Sequence, residues 1–407
     1  MTITFVAHLT PEPALYGALA AILAELRALP LLHLPVSHDE ERFPGGRGHI
    51  TARGQRVSSG LLWVERLTGR DAGAETPWET VRERALREDL VVPVNPALLP
   101  QLEAFIADAE SHGVAVECLR VVKKNQRYQL EEWESGKVRS NGWMQDDVGR
   151  WTVGSVAQPV MRSGQTLRVA LAGTAQQHHD ANPAMMAALG DAADALAMPI
   201  ELLFLSPGVS HSQRVRLLRN ADAIVLPDDP CAGPGAVETE AADWALEQNL
   251  PILGTGSGMH VMVAALAQQC LAAPLPCTLP LAAPRLGNHR MTVQHRSALA
   301  AAAGSALTLR YHQHHRLNPA LLEDLAAAGL QVAAAFDDHD CAAVTLADHP
   351  FFTGLAGRPE LASRRERPQP LLMAFLQQVR QSKRTREISH AALTTSAPPA
   401  HPHFLRG

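Results

Sequence analysis

The segment Gly254-Thr255-Gly256-Ser257-Gly258-Met259-His260 follows the apolar run Pro251-Ile252-Leu253 and leads into an Ala-rich stretch. This pattern reads as a sharp turn from strand to helix, carrying a hydroxyl and an imidazole three residues apart. A nucleophile on such a turn, with a base in reach, is what acyl or amide chemistry requires. A second group is His312, His314 and His315 in Arg310-Tyr311-His312-Gln313-His314-His315-Arg316. Alternation along a strand puts His312 and His314 on one face, but no Cys or acidic spacing accompanies them, so they read as structural or solvent-facing and no metal is expected. His178-His179-Asp180 reads as a capping turn before a helix, at the carboxyl end of a strand where α/β domains bind ligands. Cys118, Cys231, Cys270, Cys277 and Cys341 are scattered and show no CxxC spacing. They therefore read as unpaired thiols of a reducing compartment. Only Cys231, in the loop after Pro227, has a route to the turn at Gly256.

The elements that must position these groups fall into two sets. In the first, Ile3–His8 reads as a buried strand, Pro11-Glu12-Pro13 opens a helix through about Leu29, and Gly60–Val64 reads as a short strand. A helix over Pro77–Arg87, a strand over Asp89–Val94, a helix over Pro96–His112 and a strand over Val114–Val122 continue the alternation. Tyr128–Trp133, Lys137–Ser140 and Trp151–Val153 resemble a β meander, with Trp133, Trp143 and Trp151 as packing residues. Loop chemistry over Ala157–Gln165 places a boundary near residue 165. Beyond it, Leu167–Gly173, an Ala/Met helix over Pro183–Leu196, Ile200–Phe204, Asn220–Pro227 with a Gly/Pro loop through Gly235, and the turn at Gly256 form a doubly wound pattern. Past about Gln381 the periodicity is lost, which suggests a tail.

The chain has 407 residues, 46% hydrophobic and 19% charged, enough for two cores at about 150–200 residues per domain. A net charge of -5 gives no overall attraction to nucleic acid or anionic membranes. The first residues lack a basic region before their apolar run, and no stretch approaches the roughly 20 apolar residues of a membrane span. These features point to a cytoplasmic protein whose partner is a small molecule, with a homo-oligomer also compatible and neither nucleic acid nor membrane expected. No cofactor is expected, and residues 1–165 contain no GxxxxGK[ST] phosphate loop.

At the turn the sequence resembles the glutaminase domain of CTP synthase, a class I glutamine amidotransferase, whose elbow reads Gly-Ile-Cys-Leu-Gly-Met-Gln. Arg285-Leu286-Gly287 is similar to that family's Met-Arg-Leu-Gly. Arg310–Asn318 resembles Arg-His-Arg-His-Arg-Tyr-Glu-Val-Asn, and Asp348-His349-Pro350-Phe351-Phe352-Thr353 through Arg358-Pro359-Glu360 resembles Asp-His-Pro-Phe-Phe-Val ending in His-Pro-Glu. Ser363-Arg364 and Pro368-Gln369-Pro370 continue the match. The resemblance covers roughly residues 166–380 in collinear order and implies a flavodoxin-like class I amidotransferase fold with a mostly parallel sheet. Residues 1–165, a smaller α/β domain with the meander, do not share it, and residues 381–407 form the tail.

The resemblance also implies what is missing. Gly256 stands at the position of the nucleophilic cysteine, and Arg358 stands at that of the histidine, where a permanently charged guanidinium cannot act as general base. Only Glu360 of the triad remains. The segment Val261–Pro284 lacks the acidic residue that holds the substrate amino group, and His314 replaces an arginine near its carboxylate. The expected function is a diverged amidotransferase-like pseudoenzyme without glutaminase activity that binds a small metabolite or a protein partner. The alternative is an enzyme using Ser257, His260, Glu360 and Arg358 on another amide or amine. Ser257 reads as a small elbow residue or a replacement nucleophile, and His260 as a ligand contact or a helix-start cap. Gly235, Gly258, His312, His314 and Cys231 complete the ligand-binding candidates. An open pocket shared with Lys123, Lys124 or Arg127 would mark a ligand binder, and a collapsed elbow a scaffold.

Overall fold

Apolar runs buried on both faces build two separate sheets. The computed structural model describes residues 1–140, 142–152, 162–228, 235–295 and 297–395. In the first half the strands are β1 (Thr2–His8), β2 (His49–Ile50), β3 (Arg56–Val57), β4 (Leu90–Val94), β5 (Ala115–Lys124) and β6 (Arg127–Glu132). Four of them form a sheet in the order β4-β1-β5-β6, with β1 parallel to β4 and to β5, and β6 returning antiparallel to β5. β2 and β3 form a separate short hairpin.

Three readings of this half need correction. Gly60–Val64 is not a strand: Ser59–Leu61 is a 3-10 turn that runs into the helix Leu62–Thr68. Leu61, Leu62, Trp63 and Val64 are all buried, and a run apolar on every side fits a buried helix as well as a strand. The meander is reduced to β6, with isolated bridges Tyr128↔Trp143 and Glu131↔Val138 replacing further strands. Of the final run, Trp151 and Thr152 are in no strand and Val153 lies outside the described residues. The tryptophans diverge too: Trp143 and Trp151 are buried, whereas Trp133 is 36% exposed.

The second half carries β7 (Leu167–Ala172), β8 (Ile200–Leu205), β9 (Ala223–Leu226), β10 (Ile252–Thr255), β11 (Thr278–Val293), β12 (Ala306–Leu317), β13 (Leu330–Ala335), β14 (Cys341–Leu346) and β15 (Phe352–Leu355). They make one nine-stranded sheet, β12-β11-β13-β14-β15-β10-β9-β7-β8. The stretch β15-β10-β9-β7-β8 is parallel, and the strands from β12 to β15 pair antiparallel. This is the doubly wound, flavodoxin-like arrangement the sequence suggested. Because β7 continues to β8 on one side and β9 lies on the other, the parallel core has a switch point whose crevice opens at the carboxyl ends of its strands. Helices Ala184–Ala195, Ala236–Gln248 and Ser257–Cys270 cover the sheet with small side chains.

The final helix spans Pro370–Thr395, well past Gln381 where the sequence suggested a tail. Its charged stretch is anchored: Lys383 donates to Asp222 (2.9 Å) and to the carbonyl of Thr166 (2.9 Å), so polarity here marks a solvated helix face. Among the described residues no helix is long and apolar enough to cross a membrane.

Candidate functional site

β10 ends at Thr255 and the helix Ser257–Cys270 begins two residues later, leaving Gly256 alone to reverse the chain. Gly256 has φ +54° and ψ −118°, a conformation that side chains rarely adopt, and its N–H donates to the carbonyl of Leu355 (2.8 Å). The turn is the predicted elbow. The next glycine is there for contact: a Cβ on Gly258 would lie 2.1 Å from the carbonyl oxygen of Leu226, so Gly258 lets the helix close on β9. This close approach accounts for a glycine at 258.

The space at Gly256 is occupied by Asp228, two residues past the end of β9. A Cβ built on Gly256 would stand 2.2 Å from Asp228 Oδ1 and 2.3 Å from its Cγ. The Ser257 N–H, at the start of the helix, donates to the same Oδ1 (2.9 Å), and the Asp228 N–H donates to Thr255 Oγ1 (3.1 Å). A carboxylate thus sits on the helix N-terminus, where backbone N–H groups and the helix dipole favour negative charge.

Arg358 and Glu360 close the other side, on the segment that follows β15. Arg358 Nε donates to Glu360 Oε1 (2.9 Å) and lies 3.9 Å from Asp228 Oδ2; Nη1 donates to the carbonyl of Gly48 in the first half (2.7 Å). Both side chains are buried, at 2% and 1% exposure. Burial pushes the Glu360 carboxyl above the ordinary carboxylate range, with Arg358 opposing the shift. Glu360 Oε2 is buried and has no hydrogen-bond partner among the described residues. The Arg358 guanidinium therefore lies between two carboxylates and ties the elbow to the first half.

The neighbouring Arg310 on β12 makes a second tie. It donates to the carbonyl of Ile50 (2.8 Å) and pairs with Glu65 Oε2 (2.6 Å), whose Oε1 lies 3.1 Å from His49 Nε2. Burial alone would raise the Glu65 carboxyl, but His49 and Arg310 outweigh it and hold it at about 2. The hairpin β2–β3 also lies against β11, with the Asn288 N–H donating to the carbonyl of Ala52 (2.9 Å).

Of the other predicted residues, His260 stands one turn into the helix after the elbow. Its Nε2 is buried without a partner among the described residues; burial lowers its pKa to about 4, with Asp228 opposing and His315 adding to the shift. His312 and His314 do share a face, their rings 4.9 Å apart. His312 is held at about 4, by burial first and then by Arg56 and His314. Among the described residues no group of three or more His, Cys, Asp or Glu side chains is arranged to hold a metal ion. Gly235 is not part of the elbow set: it opens a cleft of about 690 Å³ between helices His211–Asn220 and Ala236–Gln248, beside Trp244. Cys231 lies outside the described residues. Cys118, Cys270, Cys277 and Cys341 are free thiols. Lys123 and Lys124 serve their own hairpin, over the ring of Tyr128 and on Glu131. His178 and His179 lie in a π-helical turn, Gln177–Ala181, with His178 Nε2 on the carbonyl of Ala172 (2.8 Å). Sequence reasoning missed Asp228, Gly48 and Glu65; the signal for Asp228 was its place just beyond a parallel strand next to the elbow.

An α/β sheet with a glycine-rich elbow at the carboxyl end of one of its parallel strands defines the class of fold. Residues 191–378 match the model for the class I glutamine amidotransferases. CTP synthase of Thermomicrobium roseum is 30% identical over 235 residues, covering 52% of this chain and 42% of that protein. CTP synthase of Haloarcula hispanica is 29% identical over 209 residues, covering 44% and 37%. Among solved structures, the glutaminase domain of Trypanosoma brucei CTPS with bound acivicin aligns with 20% identity and a TM-score of 0.48, over 53% of this chain and 94% of that one. The chain spans less than half the length of these curated relatives. Its second half is a class I glutamine amidotransferase-type domain similar to that of CTP synthase.

Proposed function

We propose that this protein is a non-hydrolytic member of the amidotransferase-like group, a pseudoenzyme whose former glutaminase cleft binds a small metabolite or a protein partner. The observation that carries this reading is the carboxylate of Asp228 packed against a nucleophile position that has no side chain. An acyl intermediate needs an atom to bond to, and Gly256 supplies none. Glu360, which would orient a catalytic histidine, is engaged by Arg358 instead. Ser257 contributes its backbone N–H to Asp228, the contribution expected of a small elbow residue. The ties from Arg358 to Gly48 and from Arg310 to Ile50 and Glu65 support a two-domain body in which residues 1–165 pack on the elbow as a permanent intramolecular partner.

The test is glutamate and ammonia release from glutamine by the full chain. No turnover above the buffer rate is expected. The Gly256→Cys, Arg358→His double variant should also stay inactive, because the introduced thiol meets Asp228. Turnover by the wild-type chain that disappears on Ser257→Ala or Glu360→Gln would overturn the proposal in favour of a re-equipped hydrolase.

A further inference from the structure

We propose that the elbow is a carboxylate-binding site whose resting occupant is the chain's own Asp228, and that a small carboxylic acid ligand takes its place by displacing that side chain. This rests on the reading that the elbow performs no acyl chemistry, and it names the ligand class that reading leaves open.

The donors are fixed by contacts that do not involve Asp228. The Ser257 N–H belongs to the first turn of a 14-residue helix, and the preceding Gly256 is pinned to Leu355. Arg358 is held by the Gly48 carbonyl on one side and Glu360 on the other. If the Asp228 side chain leaves, its two neighbouring donors, a backbone N–H and a guanidinium, stay where they are. A preorganised donor set of this kind has little ordering cost to meet when a ligand binds.

The occupant is held more loosely than the site. Among the described residues the Asp228 side chain makes one hydrogen bond, of 2.9 Å, and its distance to Arg358 is 3.9 Å, beyond hydrogen-bond reach. Its backbone is tied independently, to Thr255 Oγ1, so exchange needs a side-chain rotation and no backbone rearrangement. Gly256 supplies the room, since any side chain there would meet the carboxylate.

The surroundings suit an anion with a small body. His260 Nε2 is buried, has no partner among the described residues and feels the charge of Asp228. His312 feels Asp228, Arg56 and Arg358 together. Among the described residues the other acidic group of this set is Glu360, and its Oε1 is committed to Arg358. A carboxylate entering at Ser257 therefore meets an imidazole without a partner and a guanidinium. The side chain to be replaced is a single carboxymethyl group, which favours a small aliphatic acid over a bulky aromatic one.

The experiment uses the full chain with Asp228→Ala, followed by thermal unfolding and calorimetric titration with formate, acetate, succinate and benzoate at constant ionic strength, chloride serving as the reference anion. The variant is expected to unfold at a lower temperature than the wild type and to recover part of that loss in formate, acetate or succinate, but not in chloride or benzoate. Its affinity for acetate should exceed that of the wild type by about tenfold or more, because in the wild type the open state is a minor population. Asp228→Asn, which keeps a neutral acceptor for the Ser257 N–H, should show the same gain in weaker form and provides the readout if Asp228→Ala does not fold. Equal responses to chloride and acetate, or no small-carboxylate binding by either folded variant, would overturn the proposal. Those outcomes leave the absence of glutaminase activity untouched, since that is read by ammonia release.

Discussion

Two charged clusters join the halves of this molecule, and they differ in how completely their polar atoms are used. Around Asp191, on the helix Ala184–Ala195, every carboxylate oxygen is shared. Arg66 donates to both oxygens (2.8 and 2.7 Å), Arg150 to Oδ1 (3.1 Å) and Ser363 Oγ to Oδ2 (2.8 Å), with Asp191 at 0% exposure. Around Gly256 Arg358 and Glu360 are also buried, yet Glu360 Oε2 and His260 Nε2 have no partner among the described residues, and the Arg358 to Asp228 distance is 3.9 Å. Buried polar atoms are normally satisfied, so the elbow is less completely paired than the Asp191 cluster. On the proposal above, the Asp191 cluster is a joint and the elbow a site.

The sharpest way to break the comparison is to remove each central residue. Asp191→Ala leaves Arg66 and Arg150 buried beside an empty space. Breaking such a pair should lower unfolding stability by about 3–5 kcal/mol in chemical denaturation of the full chain. Arg358→Met should cost less, about 2–4 kcal/mol: it strands the Gly48 carbonyl and leaves two carboxylates facing each other, but the Asp228 side chain is 12% exposed and keeps some hydration. A loss for Arg358→Met larger than that for Asp191→Ala would mean the elbow carries the assembly, and the distinction between joint and site would fail.

The two clusters were unequally legible in the sequence. The elbow could be read because Gly254–His260 has its own pattern, and Arg358 and Glu360 fall within a collinear match. The doubly wound core could be read because its strands are continuous apolar runs. What escaped was contact made by groups with no sequence signature. The Gly48 carbonyl is backbone, and Asp228 is an ordinary loop residue until β9 and β10 lie side by side. Asp191 hides inside an Ala-rich helix, where a lone carboxylate reads as surface. Gly60–Val64 was misread because burial on all sides erases the period that separates helix from strand.

The pH dependence should sharpen the comparison by a smaller amount. Burial holds His8 at about 3 and His33, His38, His260 and His312 at about 4, against 6.5 for an ordinary histidine. Their folded values lie below the unfolded one, so the unfolded chain takes up protons first. Stability is fully present above pH 6.5 and is lost as pH falls through about 4. Glu360 has the opposite sign: its folded value is raised above 4.5, so its contribution is present below 4.5 and is lost as pH rises through the folded value. Denaturation midpoints across pH 4 to 8 should therefore fall on the acid side in the wild type. Glu360→Gln should gain relative to the wild type toward neutral pH, and His260→Gln should flatten the acid limb. An acid limb unchanged in His260→Gln would show that this imidazole is not held neutral beside the elbow.

The smallest effect belongs to charges that water reaches. Arg168 and Glu201 face each other across β7 and β8, with Arg168 Nε 3.1 Å from Glu201 Oε2, a geometry comparable to the pairs at Asp191. Their side chains are 49% and 51% exposed, so solvent screens the attraction and little desolvation is recovered when the pair forms. Glu201→Gln should change unfolding stability by no more than about 0.5 kcal/mol, and added salt should erase even that. The same change in distance and charge at Asp191 should cost several times more. If the two substitutions prove equal, burial is not what separates them, and the ranking of joint, site and surface loses its physical basis.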